Sequence, residues 1–150
     1  MSAQPEHRDK RVVIADDDHD DFYAFQIACE ELKYKVLLTH VDNCDELNRQ
    51  LEAVAPDILF LDIMLTQGDG CASLRDLRSN RKYDQLPIIM YTSMADVTNI
   101  EFCFKEGANL YVIKPSSFQG LREAIDRILT IDWKTTMYYP TRDSFVMTIE

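Results

Sequence analysis

The stretch that decides the fold is DILFLDIMLTQGDG, which runs from Asp57 to Gly70. Its apolar part, residues 58–61, shows no polar alternation, which is typical of a strand buried on both faces of a parallel sheet. The run ends at Asp62, and ligands of open α/β sheets bind outside the carboxyl ends of the strands. A carboxylate in this place either caps the following turn or takes part in chemistry, and the rest of the chain decides between the two.

Four other apolar runs predict strands, and a helical pattern with apolar residues three and four positions apart follows each of the five. The predicted strands cover residues 12–15, 36–41, 58–61, 87–91 and 110–113. Five strand–helix pairs joined by short connections predict an α/β fold, a doubly wound parallel sheet with helices on both faces.

Composition narrows the class of protein. A chain of 150 residues predicts one domain, and its net charge of −10 argues against a nucleic-acid-binding surface. The polar start of the chain has no apolar core of a signal peptide, and no run approaches the roughly 20 apolar residues that span a membrane. The four cysteines are scattered without metal-ligand spacing, which favours buried free thiols. We therefore expect a soluble cytoplasmic protein with no nucleic-acid or membrane partner.

Acidic residues crowd the end of the first strand, with five carboxylates within six residues, at positions 16, 17, 18, 20 and 21. One or more of these caps the next helix or favours its dipole. Capping does not account for all five, and packed carboxylates repel one another. A divalent cation bound through oxygen ligands is the expected source of compensation.

Four of the five predicted strands end in chemically active groups. These groups are Asp16 and Asp17, Asp62, Thr92, and Lys114. Each has an ordinary structural explanation when it is taken alone. Together they supply carboxylates that can bind a cation, a carboxylate that can act as a nucleophile, a hydroxyl and an ammonium. These are the groups that a phosphoryl-transfer site needs.

The chain resembles the receiver domains of two-component response regulators over about residues 10–131. Five segments match in order and spacing: VVIADDD at 12–18, LDIML at 61–65 with DG at 69–70, PIIMYTS at 87–93, GA at 107–108 and YVIKP at 111–115. The resemblance implies a flavodoxin-like sheet with strand order 2-1-3-4-5. It also implies a single-domain receiver similar to the regulators paired with bacterial phytochrome-type histidine kinases.

The resemblance assigns Asp62 as the phosphoacceptor. It implies that Mg²⁺ binds Asp17, Asp62 and the main-chain carbonyl of Met64, with Asp16 acting largely through water. A histidine kinase would supply the phosphoryl group.

The resemblance also assigns a switch. Thr92 and Lys114 would contact the phosphoryl oxygens, and Tyr111 would turn inward as Thr92 moves. The face made by the fourth helix, the fifth strand and the fifth helix would then rearrange and change partner binding. The Lys114–Pro115 peptide bond is expected to be cis, as the family has it.

Four positions depart from the family pattern or bear on the lifetime of the phosphorylated state. Thr66 stands where the family usually has proline. Ser93 replaces the usual Ala or Gly beside Thr92, and its hydroxyl either holds a water near the site, which would shorten the lifetime, or faces away. Met64 and Met94 flank the expected path of the attacking water, and a thioether orients water poorly because sulfur is a weak acceptor. We therefore expect phosphorylated Asp62 to be long-lived.

The predicted organisation is a polar arm at residues 1–10, a receiver at 11–131 and an extension at 132–150. The apolar residues of the extension, among them Trp133 and Phe145, leave two roles open for it. It either packs back onto its own domain or serves as a docking or dimerising element. A homodimer would use this extension or the face of the fourth helix, fifth strand and fifth helix.

Two other functions remain as alternatives. The first is a Mg²⁺-dependent phosphohydrolase with an aspartyl nucleophile, although no acid lies two residues after Asp62 and no cap domain is evident. The second is a degenerate receiver that acts only as a binding module. Steady turnover of a phosphate ester would favour the enzyme, and a lack of Mg²⁺-dependent labelling by acetyl phosphate would favour the binding module.

Overall fold

The structure is a computed structural model that describes residues 9–133 and 139–149. Helices follow the strands of the main sheet along most of the described chain, with a short hairpin after the third strand and a 3₁₀ turn at Arg81–Tyr83. The strands are β1 Lys10–Ala15, β2 Val36–Val41, β3 Ile58–Leu61, β4 Met64–Leu65, β5 Gly68–Asp69, β6 Ile88–Thr92, β7 Leu110–Ile113 and β8 Val146–Thr148. The helices are α1 His19–Glu30, α2 Cys44–Ala53, α3 Gly70–Ser79, α4 Val97–Lys105, α5 Phe118–Leu129 and α6 Arg142–Phe145.

The main sheet has the order β2-β1-β3-β6-β7-β8, and all of its pairings are parallel. Its first five strands correspond to the predicted order 2-1-3-4-5, so the doubly wound flavodoxin-like fold is confirmed. The short strands β4 and β5 form a separate antiparallel hairpin directly after β3. Because the core strands run parallel, their carboxyl ends meet at one edge of the sheet.

Helices cover both faces of the sheet, and each face buries its own apolar cluster. Phe25 of α1 and Ile125 of α5 pack on one face, together with Phe60 of β3. Leu47 of α2 and Leu74 of α3 pack on the other. Strand β3 is buried along its whole length, as its unbroken apolar run predicted.

Short polar side chains begin most of the helices. Each accepts a hydrogen bond from the backbone N–H three residues on, which satisfies a donor that the first helical turn leaves free. These caps are Asp18, Asn43, Asp69, Asp96 and Ser117. Over the described residues, none of the helices combines the length and the apolar character that a membrane crossing demands.

The C-terminal segment, defined as Arg142–Thr148, adds a sixth strand to the sheet. Strand β8 pairs in parallel with β7, with Val146 opposite Tyr111. Just before it, Phe145 is completely buried. Four residues after α5, the Trp133 indole is also buried, and its N–H donates to the carbonyl of Ile128 at 3.1 Å. The described part of the predicted extension therefore packs on its own domain, while residues 134–138 and 150 lie outside the described chain.

Candidate functional site

The site is built where the core strands end. Strands β1 and β3 pair with Ala15 opposite Leu61, so the next residue of each strand, Asp16 and Asp62, lie side by side. Lys114, which directly follows β7, reaches across to both. Its Nζ lies 2.9 Å from Asp16 Oδ2 and 2.9 Å from Asp62 Oδ2. The structure thus brings together three side chains that are about 50 residues apart in sequence.

A fourth side chain completes this cluster. Asp21 lies in the first turn of α1, and its Oδ2 accepts a hydrogen bond from Lys114 Nζ at 2.7 Å. We call Asp16, Asp21, Asp62 and Lys114 the acidic pocket. Three carboxylates facing one ammonium leave two negative charges uncompensated, so the pocket is suited to a further cation.

Asp16 is the most deeply buried acid of the pocket, with no exposed surface. Its Oδ1 accepts a hydrogen bond from the Asp18 backbone N–H at 2.9 Å. Its Oδ2 contacts the Lys114 ammonium, but outside hydrogen-bonding geometry. Burial raises the pKa of Asp16 to about 6, against the opposing effect of Lys114. A buried acceptor without a directional donor is well placed to bind water or a metal.

Lys114 is enclosed by its partners. Burial by itself lowers the pKa of the ammonium, but hydrogen bonds to Asp21 and Asp62 and the nearby Asp16 carboxylate outweigh this effect and raise the pKa overall. The ammonium also lies 5.2 Å from the centroid of the Tyr91 ring. Lys114 therefore remains charged throughout the physiological range.

Asp62 is fixed by the backbone around it. Its own N–H donates to the Ala15 carbonyl at 2.9 Å, and its Oδ1 accepts from the Met64 N–H at 3.2 Å. The amino end of α3 comes so close that a Cβ on Gly70 would lie 2.1 Å from the Asp62 carbonyl oxygen. This contact explains why glycine follows Asp69 in the matched motif.

The loop after Asp62 explains one departure from the family pattern. The Thr66 N–H donates to the Asp42 carbonyl at 3.1 Å, which ties the loop to the end of β2. Proline has no N–H and could not make this bond. Threonine therefore exchanges the stiffness of a proline for a hydrogen bond.

Thr92 and Tyr111 both bond to the backbone of Met94. The Thr92 hydroxyl oxygen accepts a hydrogen bond from the Met94 N–H at 3.3 Å, and the Tyr111 hydroxyl donates to the Met94 carbonyl at 2.6 Å. Both side chains are completely buried. The aromatic ring predicted to turn inward thus lies inside the domain.

The residues present fit a divalent cation. Asp17 follows Asp16 at the same strand end and is half-buried, and the backbone of Met64 adjoins Asp62. Carboxylate and carbonyl oxygens are the ligands that Mg²⁺ prefers, and several of its positions are normally filled by water. No group of three or more potential ligand side chains is preformed among the described residues. The site would therefore rely on main-chain and water ligands as well.

One prediction for this region is wrong. The described residues contain no cis peptide bond, so Lys114–Pro115 is trans. Proline reduces the preference for trans but does not reverse it, so trans is the ordinary state of such a bond. Lys114 reaches the three carboxylates from this conformation.

The roles of two residues of the site were not predicted from the sequence. Asp21 is one of the five acids for which helix capping, a dipole effect or compensation by a divalent cation is expected, but its pairing with Lys114 is not predicted. Gly70 belongs to the matched Asp-Gly pair at 69–70, but the need for glycine there becomes clear only from the structure. In the structure Asp18 takes the capping role, which leaves Asp21 available to bind Lys114.

Comparison with known proteins matches this chain to a family. A model of the response regulator receiver domain matches residues 12–126. The transcriptional regulatory protein KdpE of Staphylococcus aureus is 26% identical over 132 residues, which cover 86% of this chain and 55% of that protein. The chain spans about half the length, or less, of the curated relatives that it matches.

Two solved structures share the fold. The phosphorylated cyanobacterial phytochrome response regulator RcpA superposes with a TM-score of 0.78 at 19% identity, over 86% of this chain and 97% of that one. The Mn²⁺-bound response regulator Rcp1 gives a TM-score of 0.75 at 16% identity, over 88% of this chain and 99% of that one. The family match across most of the chain, together with the fold, shows that this protein belongs to the response regulator receiver domains of two-component signalling.

Proposed function

We propose that this receiver accepts a phosphoryl group on Asp62 from the phosphohistidine of a histidine kinase, in the presence of Mg²⁺. The observation that carries the proposal is the environment of Asp62. Its carboxylate is held at the end of a rigid buried strand, beside Asp16, with the Lys114 ammonium 2.9 Å away. This arrangement supplies a nucleophile and a positive charge at the same point.

The chemistry is a transfer between two nucleophiles. A carboxylate oxygen of Asp62 attacks phosphorus, the P–N bond to the kinase histidine breaks, and the electron pair of that bond returns to the imidazole. Lys114 neutralises charge on the phosphoryl oxygens, and the Thr92 hydroxyl donates to one of them. Mg²⁺ bound by Asp17, Asp62 and the Met64 carbonyl, with Asp16 through water, supplies further positive charge when present.

Phosphorylation would then act as a switch. By analogy with other phosphorylated side chains, it adds about 1.5 to 2 negative charges and three strong acceptors to Asp62. Lys114 and Thr92 are drawn to these acceptors. This alters the backbone of Met94, whose N–H bonds to Thr92 and whose carbonyl bonds to Tyr111. The proposed output is a change in partner binding rather than turnover of a substrate.

The C-terminal segment refines the proposed partner surface. It lies along the edge of β7 and its Arg142 binds Glu101 of α4 at 2.7 Å, so it covers part of the face on which a dimer was expected. We propose that any homodimer uses the extension at residues 132–150 itself. Sedimentation of the full chain and of a chain ending at Ile131 tests this, since a dimer that persists in the shortened chain would contradict it.

The test of phosphoryl acceptance is labelling with radioactive acetyl phosphate and with a phosphorylated histidine kinase. We expect label that requires Mg²⁺ and disappears in Asp62→Asn. Asp57→Asn is the matched control, because Asp57 lies at the opposite end of the same strand and accepts the Arg11 N–H there. Undiminished labelling of Asp62→Asn would overturn the assignment, and steady release of phosphate from a generic ester would favour a phosphohydrolase.

A further inference from the structure

Three aromatic rings from separate parts of the chain meet on the α4 side of the sheet. The Phe145 ring lies 5.2 Å from the Phe104 ring of α4 and 6.1 Å from the Tyr111 ring of β7. We call these three residues the aromatic cluster. Both Tyr111 and Phe145 are without exposed surface. The switch tyrosine is therefore packed against a residue of the C-terminal segment.

The C-terminal segment is held in place at three points. Its backbone pairs with β7, where Val146 lies opposite Tyr111. The Arg142 guanidinium donates to Glu101 of α4 at 2.7 Å. Phe145 fills the space between α4 and β7. These contacts involve the same helix and strand that border Tyr111.

Tyr111 connects this segment to the acidic pocket. Its hydroxyl donates to the Met94 carbonyl, and the N–H of the same residue donates to Thr92. An outward movement of the Tyr111 ring would break the first bond and release the loop that positions Thr92. Packing of Phe145 behind the ring opposes such a movement.

We propose that Phe145 is a positioning residue for phosphorylation, which acts by holding Tyr111 inward and so keeping the Thr92–Met94 loop in the arrangement that accepts a phosphoryl group. The inference rests on the proposed phosphorylation of Asp62. Phe145 packs against the inward ring of Tyr111, so the segment favours the competent arrangement. By reciprocity, phosphorylation should also strengthen docking of the C-terminal segment.

The first test measures the rate at which acetyl phosphate labels Asp62 in Phe145→Ala. Aromatic pairs stabilise a conformation by an amount that corresponds to roughly a 2- to 12-fold change in population, so we expect labelling to slow by that factor. Phe145→Tyr, which keeps the ring, should restore most of the rate. The matched control is Met147→Ala, because Met147 lies on the same segment but packs on the opposite face of the sheet.

The second test asks whether the effect passes through Tyr111. In a Tyr111→Leu background, Phe145→Ala should produce little further slowing. A merely structural role would lower stability in both backgrounds without this loss of effect on labelling. In addition, amide exchange at Val146–Thr148 should slow on phosphorylation in the wild type and stay unchanged in Tyr111→Leu.

The outcomes are distinguishable. If the wild type is not labelled at all, the proposed function itself fails. If the wild type is labelled and Phe145→Ala is labelled as fast as Met147→Ala, only the role of Phe145 fails. If Phe145→Ala does not fold, Phe145→Leu removes the ring but keeps much of the buried volume, and an unchanged labelling rate in that variant overturns the proposal.

Discussion

The acidic pocket and the aromatic cluster are held together by different forces. In the pocket, three carboxylates share one ammonium and retain two uncompensated negative charges. In the aromatic cluster, neutral rings fill the space between α4, β7 and the C-terminal segment. The backbone of Met94 links the two regions, because its N–H donates to Thr92 and its carbonyl accepts from Tyr111. A change of charge therefore acts directly on the pocket, and a change of shape acts directly on the cluster.

Removal of the Lys114 ammonium should have the largest effect on the free energy of unfolding. Lys114→Met leaves Asp16, Asp21 and Asp62 without their shared cation, and loss of one partner of a buried ion pair costs about 3–5 kcal/mol. Urea unfolding without divalent cation measures the loss, with Lys105→Met on the exposed end of α4 as the control. A loss below about 1 kcal/mol would show that charge does not hold the pocket together.

Gly70→Ala tests whether the pocket also depends on shape. The new Cβ would meet the Asp62 carbonyl oxygen, and overpacking of this kind costs about 1–3 kcal/mol. We expect slower labelling of Asp62 as well, because the strand end must shift. Gly107→Ala is the comparison, since its cost is backbone strain at φ +95° in a turn outside the pocket. Equal labelling of both variants would contradict the close approach at Gly70.

The lifetime of phosphorylated Asp62 tests whether Met64 and Met94 shield the phosphoryl group from water at the opening of the pocket. The Met64 side chain is 55% exposed there, and Met94 is half-buried beside the loop shared with Tyr111. Met64→Asn combined with Met94→Glu introduces groups that orient water, so we expect hydrolysis to accelerate about tenfold or more. Loss of label at fixed Mg²⁺ gives the rate. If the double variant retains its label as long as the wild type, the methionines do not shield the phosphoryl group.

Mg²⁺ should stabilise the pocket by adding the missing positive charge. At a concentration of ten times its Kd, a ligand of the folded state contributes about 1.4 kcal/mol, which appears as a rise in melting temperature. Asp17→Asn should abolish this rise and stabilise the metal-free protein by relieving repulsion. Asp20→Asn, an exposed member of the same acidic run, should keep the response. A full response in Asp17→Asn would refute the ligand assignment.

The smallest effect is expected where charge lies at the border of the aromatic cluster. Arg142 and Glu101 form a close pair, but both side chains are more than a third exposed. Arg142→Gln should therefore lower stability by less than about 1 kcal/mol, and less again in high salt. A larger loss that persists in salt would mean that charge matters at the cluster as it does in the pocket.

The sequence predicts the position of those site residues that directly follow a predicted strand. Asp62 and Lys114 follow apolar runs, and parallel strands bring their ends together, so their proximity could be foreseen. Asp21 could not be assigned, because its partner depends on how α1 leans over the sheet. Strand β8 has only three residues, which is too short for an alternation to be recognised. The burial of Phe145 depends on tertiary packing that local pattern does not encode.

The position of Trp133 gives the protein a built-in optical reporter. It is the only tryptophan of the chain, so indole fluorescence has a single source. Because α5 runs back from the carboxyl ends of the strands, its last turn and Trp133 lie at the edge of the sheet away from the pocket. The indole is buried in the cluster on which Met147 also packs, behind the sheet from Phe145. Its emission therefore separates an event confined to the metal site from a rearrangement that travels the length of the domain.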